Sequence, residues 1–545
     1  MKKIYLYFII LILFFSFLIM SPVHLSAQTN LNYQIKEQLS TFKEYEINNL
    51  KFSPPYFLNK LNSLYEINNY NPFWFGEVWF KDSAYQLMEV IKNIENEGLN
   101  PKDYRYDFLS EYFHKTTLNR QELALIDILM TNSFLLLRSH FKEGILNPET
   151  LKRDWEITQN DTELYNFINN TVQNNNVIES LYSLLPQSEN YIKLRNKLKE
   201  YKTIKKNGGF ITFTGSRVID KGMNGEDVLN LKKRLKQTQD FQGIMDEEFG
   251  QLLEKAVINF QKRNGLNPDG VVGPKTKSAL NISVKEKIKK IIINMERLRW
   301  LPQSLGNPYI LVNIADYKLR VIENKEELFN LKVIVGQRQR STPVFSEKIS
   351  YIVLNPSWTV PKKIAALDKL PLIKKDINYL PENNYKVLKV SNGELVEVDY
   401  TKINWDNLNE DNFNYFLRQQ PGPNNALGQI KFMFPNKYSV YLHDTPSKEL
   451  FSAEQRNFSS GCIRVQEPFK LAEYILKKDE QWDEKKIKQK LAKNNEQIIY
   501  LKNKIPIHIV YMTAWVNNNY KIHFRNDIYN RDQRLIDAYY NIERG

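Results

Sequence analysis

Cysteine is almost absent from this chain: Cys462 is the only one in 545 residues. That excludes internal disulfides and any zinc site built on several cysteines. Histidine is scarce as well, with six in all, and no HExxH pattern occurs, so no metal site is expected. GxSxG and P-loop patterns are also missing, which removes the sequence support for α/β-hydrolase and nucleotide-hydrolase chemistry. Beyond the first 20 residues no run is long and apolar enough to span a membrane. No basic helix with interleaved aromatics occurs, so nucleic-acid binding is not expected. The net charge of +14 is instead scattered as lysine pairs such as Lys205-Lys206 and Lys289-Lys290 among acidic residues.

What is present is ample apolar material, 42% hydrophobic and 13% aromatic, in a length that predicts three or four domains. The N-terminus, MKKIYLYFIILILFFSFLIMSPVHLSAQTN, has basic Lys2 and Lys3, an apolar run from Ile4 to Met20, Pro22, and a small-residue cleavage position after Ala27. Residues 1–27 are therefore expected to be a signal peptide or an uncleaved membrane anchor. Either one exports the rest to the cell envelope, the periplasm. In that oxidising setting a lone cysteine is a reactive thiol, half of an intermolecular bridge, or a buried inert residue. An exported basic protein suits an anionic envelope polymer, although the charge also serves plain solubility.

The chain divides by hydrophobic period. Residues 31–205 read as helical, with Leu125, Ile126, Leu129, Leu136 and Leu137 at helical spacing and Gly98, Pro101, Gly144 and Pro148 at turns. This part is expected to be a scaffold. Lys206-Asn207-Gly208-Gly209 reads as a linker. Residues 220–281 carry two helical stripes (Val228, Leu231, Leu235; Phe249, Leu253, Ala256, Val257, Phe260). A third element follows an Asp269-Gly270 turn and begins at Gly273-Pro274. From 305 to 535 the period becomes two, as in ILVNIADYKLRVIEN and KYSVYLHD, which predicts antiparallel strands. Within this β region residues 361–419 lose the alternation and read as a polar, helix-like insertion placed to cap a site. Pro468 to Asn503 reads as helical.

Five histidines follow the leader: His114, His140, His443, His508 and His523. His443 ends an alternating strand in VYLHDTPSKELFSAEQRNFSSGCIRV, and Cys462 follows it. A thiol attacks as thiolate, and an imidazole can take its proton. Gly461 allows a sharp turn that aims successive N–H groups, those of Gly461 and Cys462, at an oxyanion. Arg464 lies two residues beyond Cys462, on the same face of an extended chain, where it can bind a carboxylate or steady the loop. Tyr441 shares a face with His443 by the same rule. Asp444 faces the opposite way, so a backbone carbonyl is the expected partner of the second ring nitrogen of His443. His508 and His523 alternate with apolar residues and read as structural.

HDTPSK followed by FSSGCIRV resembles the catalytic motif of the YkuD-type L,D-transpeptidases, in the large YcbB-like branch. VGQRQRSTPVFS, LNPSWTVP, RQQPGPNNALGQIKFMFPN, HIVYMTAW and, near the N-terminus, NPFWF and GLNPKDY are similar to that branch. AVINFQKRNGLNPDGVVGPKTKSALN resembles the peptidoglycan-binding type 1 domain. The resemblance implies a multidomain α+β fold: a helical scaffold, a three-helix wall-binding module and a mainly β catalytic domain. It implies Cys462 as nucleophile and His443 as base and then acid, with Gly461 in the oxyanion hole and Ser460 at the substrate. Smaller members carry histidine where this chain has Ser460; the large branch has serine there. The implied reaction is attack on a tetrapeptide stem, loss of D-alanine and formation of a 3→3 cross-link. Water or an envelope protein as acceptor gives the same chemistry a different product. The expected partners are peptidoglycan stems and glycan, with no cofactor, and the chain is expected to be a monomer. A non-catalytic wall-binding protein is the alternative. A papain-like protease would place its histidine far downstream of the cysteine, and here it lies upstream.

Overall fold

The computed structural model describes residues 31–40, 46–47, 50–51, 55–76, 79–148, 161–215, 217–478 and 482–540. The leader assigned to residues 1–27 lies outside them. Among the described residues no helix is long and apolar enough to cross a membrane. The fold is α+β, with a helical N-terminal region, a small helical module and a large closed sheet carrying an insertion.

The N-terminal helices pack around the helix Arg120–Glu143, which is buried on nearly all sides. A capping box of Asn119 and Glu122 starts this helix. Its buried Asp127 carboxylate accepts hydrogen bonds from the N–H groups of Phe73 (3.0 Å) and Trp74 (2.8 Å) and from the Tyr65 hydroxyl (2.6 Å). The NPFWF stretch is thus tied to the scaffold core by polar groups that burial would otherwise leave unpaired. In the small module Val228, Leu231, Leu235, Leu253, Val257 and Phe260 form one closed core. The Asp269 side chain accepts from the Val271 N–H (2.9 Å), Gly270 takes φ +79°, and Pro274 opens the last helix behind Gly273.

The helix Val284–Arg299 falls in a stretch for which the periodicity suggested no element. Its signals are a Ser283–Glu286 capping box and the apolar series Ile288, Ile291, Ile292, Met295, Leu298. It joins the parts. Glu296 accepts from the N–H of Leu146 (2.8 Å), Arg299 reaches the Glu97 carbonyl (2.6 Å), and Arg297 pairs with Asp532 (2.7 Å).

Among the described residues the sheet contains nine strands: β1 (Tyr309–Asn313), β2 (Lys318–Glu323), β3 (Glu326–Gly336), β4 (Phe345–Leu354), β5 (Ile430–Met433), β6 (Leu442–His443), β7 (Asn457–Ser459), β8 (Ile463–Val465) and β9 (Gln497–Val510). Their order is β7-β3-β8-β6-β5-β4-β9-β1-β2, and β2 also pairs with β3, so the sheet closes on itself. Ile430, Phe432, Leu442, Ile463 and Val465 fill its core, and the alternate residues face outward.

Two expectations are corrected. Residues Gln497–Asn503 are strand and not helix, because QIIYLKN alternates and pairs with β4 from Gln497↔Leu354 to Tyr500↔Tyr351. The insertion is only partly helical. It builds its own four-stranded sheet from Trp358–Thr359, Phe416–Gln419, Tyr385–Ser391 and Glu394–Glu397. The last two form a hairpin over Asn392-Gly393, both at positive φ, a turn that suits the twist of the flanking strands.

Candidate active site

The site is built where the chain crosses over the end of a strand. β7 pairs with one side of β3 and β8 with the other. Ser460, Gly461 and Cys462 make the crossing, directly above Gly336 at the end of β3. A Cβ at Gly336 would stand 2.1 Å from the Arg340 carbonyl oxygen and 3.1 Å from the Gly461 Cα, so only glycine permits this approach. Gly461 itself has φ +119°, a conformation that favours glycine. Thr342 locks the crossing from below: its hydroxyl accepts from the Gly336 N–H (2.9 Å) and donates to the Gly461 carbonyl (2.8 Å). The Tyr529 hydroxyl donates to the Gly336 carbonyl.

Strand register then sets the face. β5 and β6 pair Lys431 with His443, and β6 and β8 pair His443 with Arg464. Tyr441 and Cys462 stand two residues before His443 and Arg464, just ahead of β6 and β8, and an extended chain puts them on that same outward face. All five line one cleft of about 1200 Å³. Trp358, Ile364, Leu367 and Asp368 wall it from the insertion. Asp368 forms a two-point ion pair with Arg340 (2.5 and 2.8 Å), and Arg340 also donates to the Ser460 hydroxyl (3.0 Å).

His443 is buried, and its Nδ1–H donates to the backbone carbonyl of Asp444 (2.5 Å), which leaves the lone pair on Nε2. The Asp444 carboxylate turns away, accepting from the Gln429 N–H (2.9 Å) and pairing with Lys448. The Tyr441 N–H and hydroxyl favour the thiolate of Cys462. One expected donor is occupied: the Gly461 N–H donates to the Ser459 hydroxyl (3.2 Å), which in turn donates to the Cys462 carbonyl (2.5 Å). Among the described residues no acceptor takes the Cys462 N–H. Arg464 reaches the cleft, and among the described residues its buried Nε has no partner.

The electrostatics disfavour a preformed thiolate–imidazolium pair. Burial, with the Arg464 and Lys431 cations beside it, pushes the His443 imidazole down to about 3. Burial raises the Cys462 thiol, and Tyr441, Lys431 and Arg464 offset this only in part. At neutral pH both groups are uncharged. Alkylation of Cys462 by iodoacetamide is therefore expected to accelerate about tenfold per pH unit up to and beyond pH ~9, with no step between pH 5 and 8. Labelling rates across pH, unambiguous with a single cysteine, check this. A plateau below neutrality would mean a stable ion pair.

His508 and His523, read from the sequence as structural, do not line the cleft. His508 binds the Ser346 hydroxyl (2.8 Å) and the Leu305 carbonyl (2.9 Å), His523 stacks on Trp515, and the His140 Nδ1 meets the Tyr104 hydroxyl (2.7 Å). Sequence reasoning missed Lys431, Gly336, Arg340 and Thr342. Only GQIKFMF held a hint, a lysine alternating with buried Ile430 and Phe432.

Family models match a scaffold domain at residues 59–198, a "Putative peptidoglycan binding domain" at 224–280, and the YkuD L,D-transpeptidase catalytic domain at 307–488. A Haemophilus influenzae protein described as "Putative L,D-transpeptidase" is 36% identical over 247 residues, 45% of this chain and 49% of that protein. The chain thus spans about half the length of this relative. A spore cortex-lytic enzyme of Bacillus cereus is 43% identical over 65 residues, 12% of this chain and 25% of the relative. A solved L,D-transpeptidase structure from Stackebrandtia nassauensis aligns with 55% of this chain and 97% of its own at 14% identity, with a TM-score of 0.22, a value that carries no argument. The chain thus carries a YkuD L,D-transpeptidase catalytic domain, together with a scaffold domain and a peptidoglycan-binding domain.

Proposed function

We propose that the protein is a peptidoglycan L,D-transpeptidase that forms 3→3 cross-links through a Cys462 thioester. The observation that supports this best is the single cleft face shared by Cys462, His443, Tyr441 and Arg464. His443 Nε2 takes the Sγ proton as the sulfur attacks the carbonyl of the diamino acid in a tetrapeptide stem. An S–C bond forms, and the oxyanion is met by the Cys462 N–H and the Tyr441 hydroxyl. The C–N bond to the terminal D-alanine then breaks, its electron pair goes to nitrogen, and His443 returns the proton there. The side-chain amine of a neighbouring stem, deprotonated by His443, resolves the thioester. Water in its place gives an L,D-carboxypeptidase, and an envelope-protein amine gives an anchoring enzyme. Arg464 binds substrate carboxylate, and Ser460, held by Arg340, shapes the subsite. The small helical module holds the glycan from the same side: Lys275 pairs with Glu454 (2.8 Å) in the segment between His443 and Cys462. This reading places the protein in the periplasm, exported by its N-terminal leader.

Incubation of the purified protein with disaccharide-tetrapeptide tests the reading. The expected products are free D-alanine and a 3→3-linked dimer, resolved by mass spectrometry. Tripeptide without dimer assigns water as acceptor, and unchanged substrate refutes the enzyme.

A further inference from the structure

The row across the sheet at His443 holds one residue that the reaction above does not use. Lys431 lies on β5 opposite His443 and lines the cleft. Its ammonium stands 4.0 Å from the centroid of the Tyr441 ring. Among the described residues no hydrogen bond or ion pair holds it. The carboxylate that most influences it, Glu496, is engaged by the Ser357 N–H (2.6 Å) and hydroxyl (2.7 Å). A half-buried cation without an anion is costly unless a ligand supplies one.

We infer that Lys431 binds the free carboxylate of the residue that leaves the donor, and so restricts the donor to stems that end one residue beyond the attacked carbonyl. The inference rests on the acyl-transfer reading. Across the sheet the order is β8 with Arg464 and, just ahead of it, Cys462, then β6 with His443, then β5 with Lys431. The acyl carbon sits on Cys462, and the leaving nitrogen must touch His443 to be protonated. One carbon joins that nitrogen to the terminal carboxylate, so the carboxylate continues about 3 Å further from the nitrogen. Adjacent strands are about 4.8 Å apart, which brings it to Lys431. Arg464 is on the acyl side, on the strand of Cys462 and in the field of Glu449. Burial lowers the Lys431 ammonium while leaving it a donor, which suits a charge-assisted contact that forms only with substrate.

The test compares disaccharide-tetrapeptide with its C-terminal amide by kcat/KM for release of the terminal residue. Wild type is expected to prefer the free acid by about 30-fold, the worth of one charge-assisted hydrogen bond. Lys431→Met is expected to collapse that preference to about 3-fold or less, chiefly through KM, and Lys431→Arg to keep most of it. A lysine with a merely structural role would lower both substrates alike and leave the ratio unchanged. An acid-to-amide ratio near one in wild type, a ratio retained in Lys431→Met, or a ratio lost instead in Arg464→Met would overturn the assignment. If wild type releases nothing from either substrate, the acyl-transfer reading fails, and this inference with it.

Discussion

Exchange of Cys462 for alanine is expected to lower tetrapeptide turnover by at least about 10⁴-fold, to background, while the melting temperature barely moves. The chemical loss is complete because no nearby group can replace the sulfur. The Ser459 hydroxyl donates to the Cys462 carbonyl, and the Ser460 hydroxyl accepts from Arg340. Among the described residues neither has a base in contact. The structural loss is small. The sulfur's own donor contact is a long one, 3.9 Å to the Ser439 carbonyl, and it lines an open cleft instead of filling a core. His443→Ala is expected to cost about 10²–10⁴-fold, as for a positioned acid–base, and to leave Cys462 alkylation by iodoacetamide measurable at high pH. Turnover and thermal melts of the two variants separate these effects.

The second large effect is remote from the chemistry. Gly336→Ala places a methyl 2.1 Å from the Arg340 carbonyl oxygen and 2.9 Å from the Thr342 nitrogen. Both are backbone atoms, so the turn Arg338–Arg340 and the Thr342 contact must shift. Thr342 holds the Gly461 carbonyl, and Arg340 holds Ser460 and Asp368. The displacement is therefore delivered to the cysteine loop and to the insertion wall together. A misplacement of about 1 Å costs about 10²-fold in rate, and overpacking costs about 1–3 kcal/mol in stability. The expected outcome is a loss of at least about 100-fold in acylation with the protein still folded, read from thioester formation and a thermal melt. Unchanged acylation would show that the crossing tolerates the shift.

Legibility in the sequence followed locality. His443 and Cys462 were readable because a scarce histidine and the only cysteine stand close together, one ending an alternating strand and the other following a glycine. The three helices of the small module were readable from their stripes and from Pro274. Lys431 was not, because only the pairing of β5 with β6 sets it beside His443, and register between strands leaves no local trace. Gly336 was not, because its constraint is the β7–β8 crossing, whose residues lie far along the chain. In the insertion the charged stretch masked YKVLKVSNGELVEV, whose alternation and Asn-Gly turn make a hairpin. Its polar outer face and exposed Val390, Leu395 and Val396 blur the period on which the reading depended. The occupied Gly461 N–H could not be foreseen either, since the Ser459 hydroxyl claims it only after the loop has turned.

The central claim is a thioester on Cys462. Intact-mass spectrometry after brief mixing of the purified protein with disaccharide-tetrapeptide and an acid quench tests it most directly, with peptide mapping to locate the adduct. The predicted result is a mass gain equal to the donor minus D-alanine, on the peptide containing Cys462, removed by hydroxylamine and absent from Cys462→Ala. Release of D-alanine without any such adduct, or an adduct on another peptide, would contradict it.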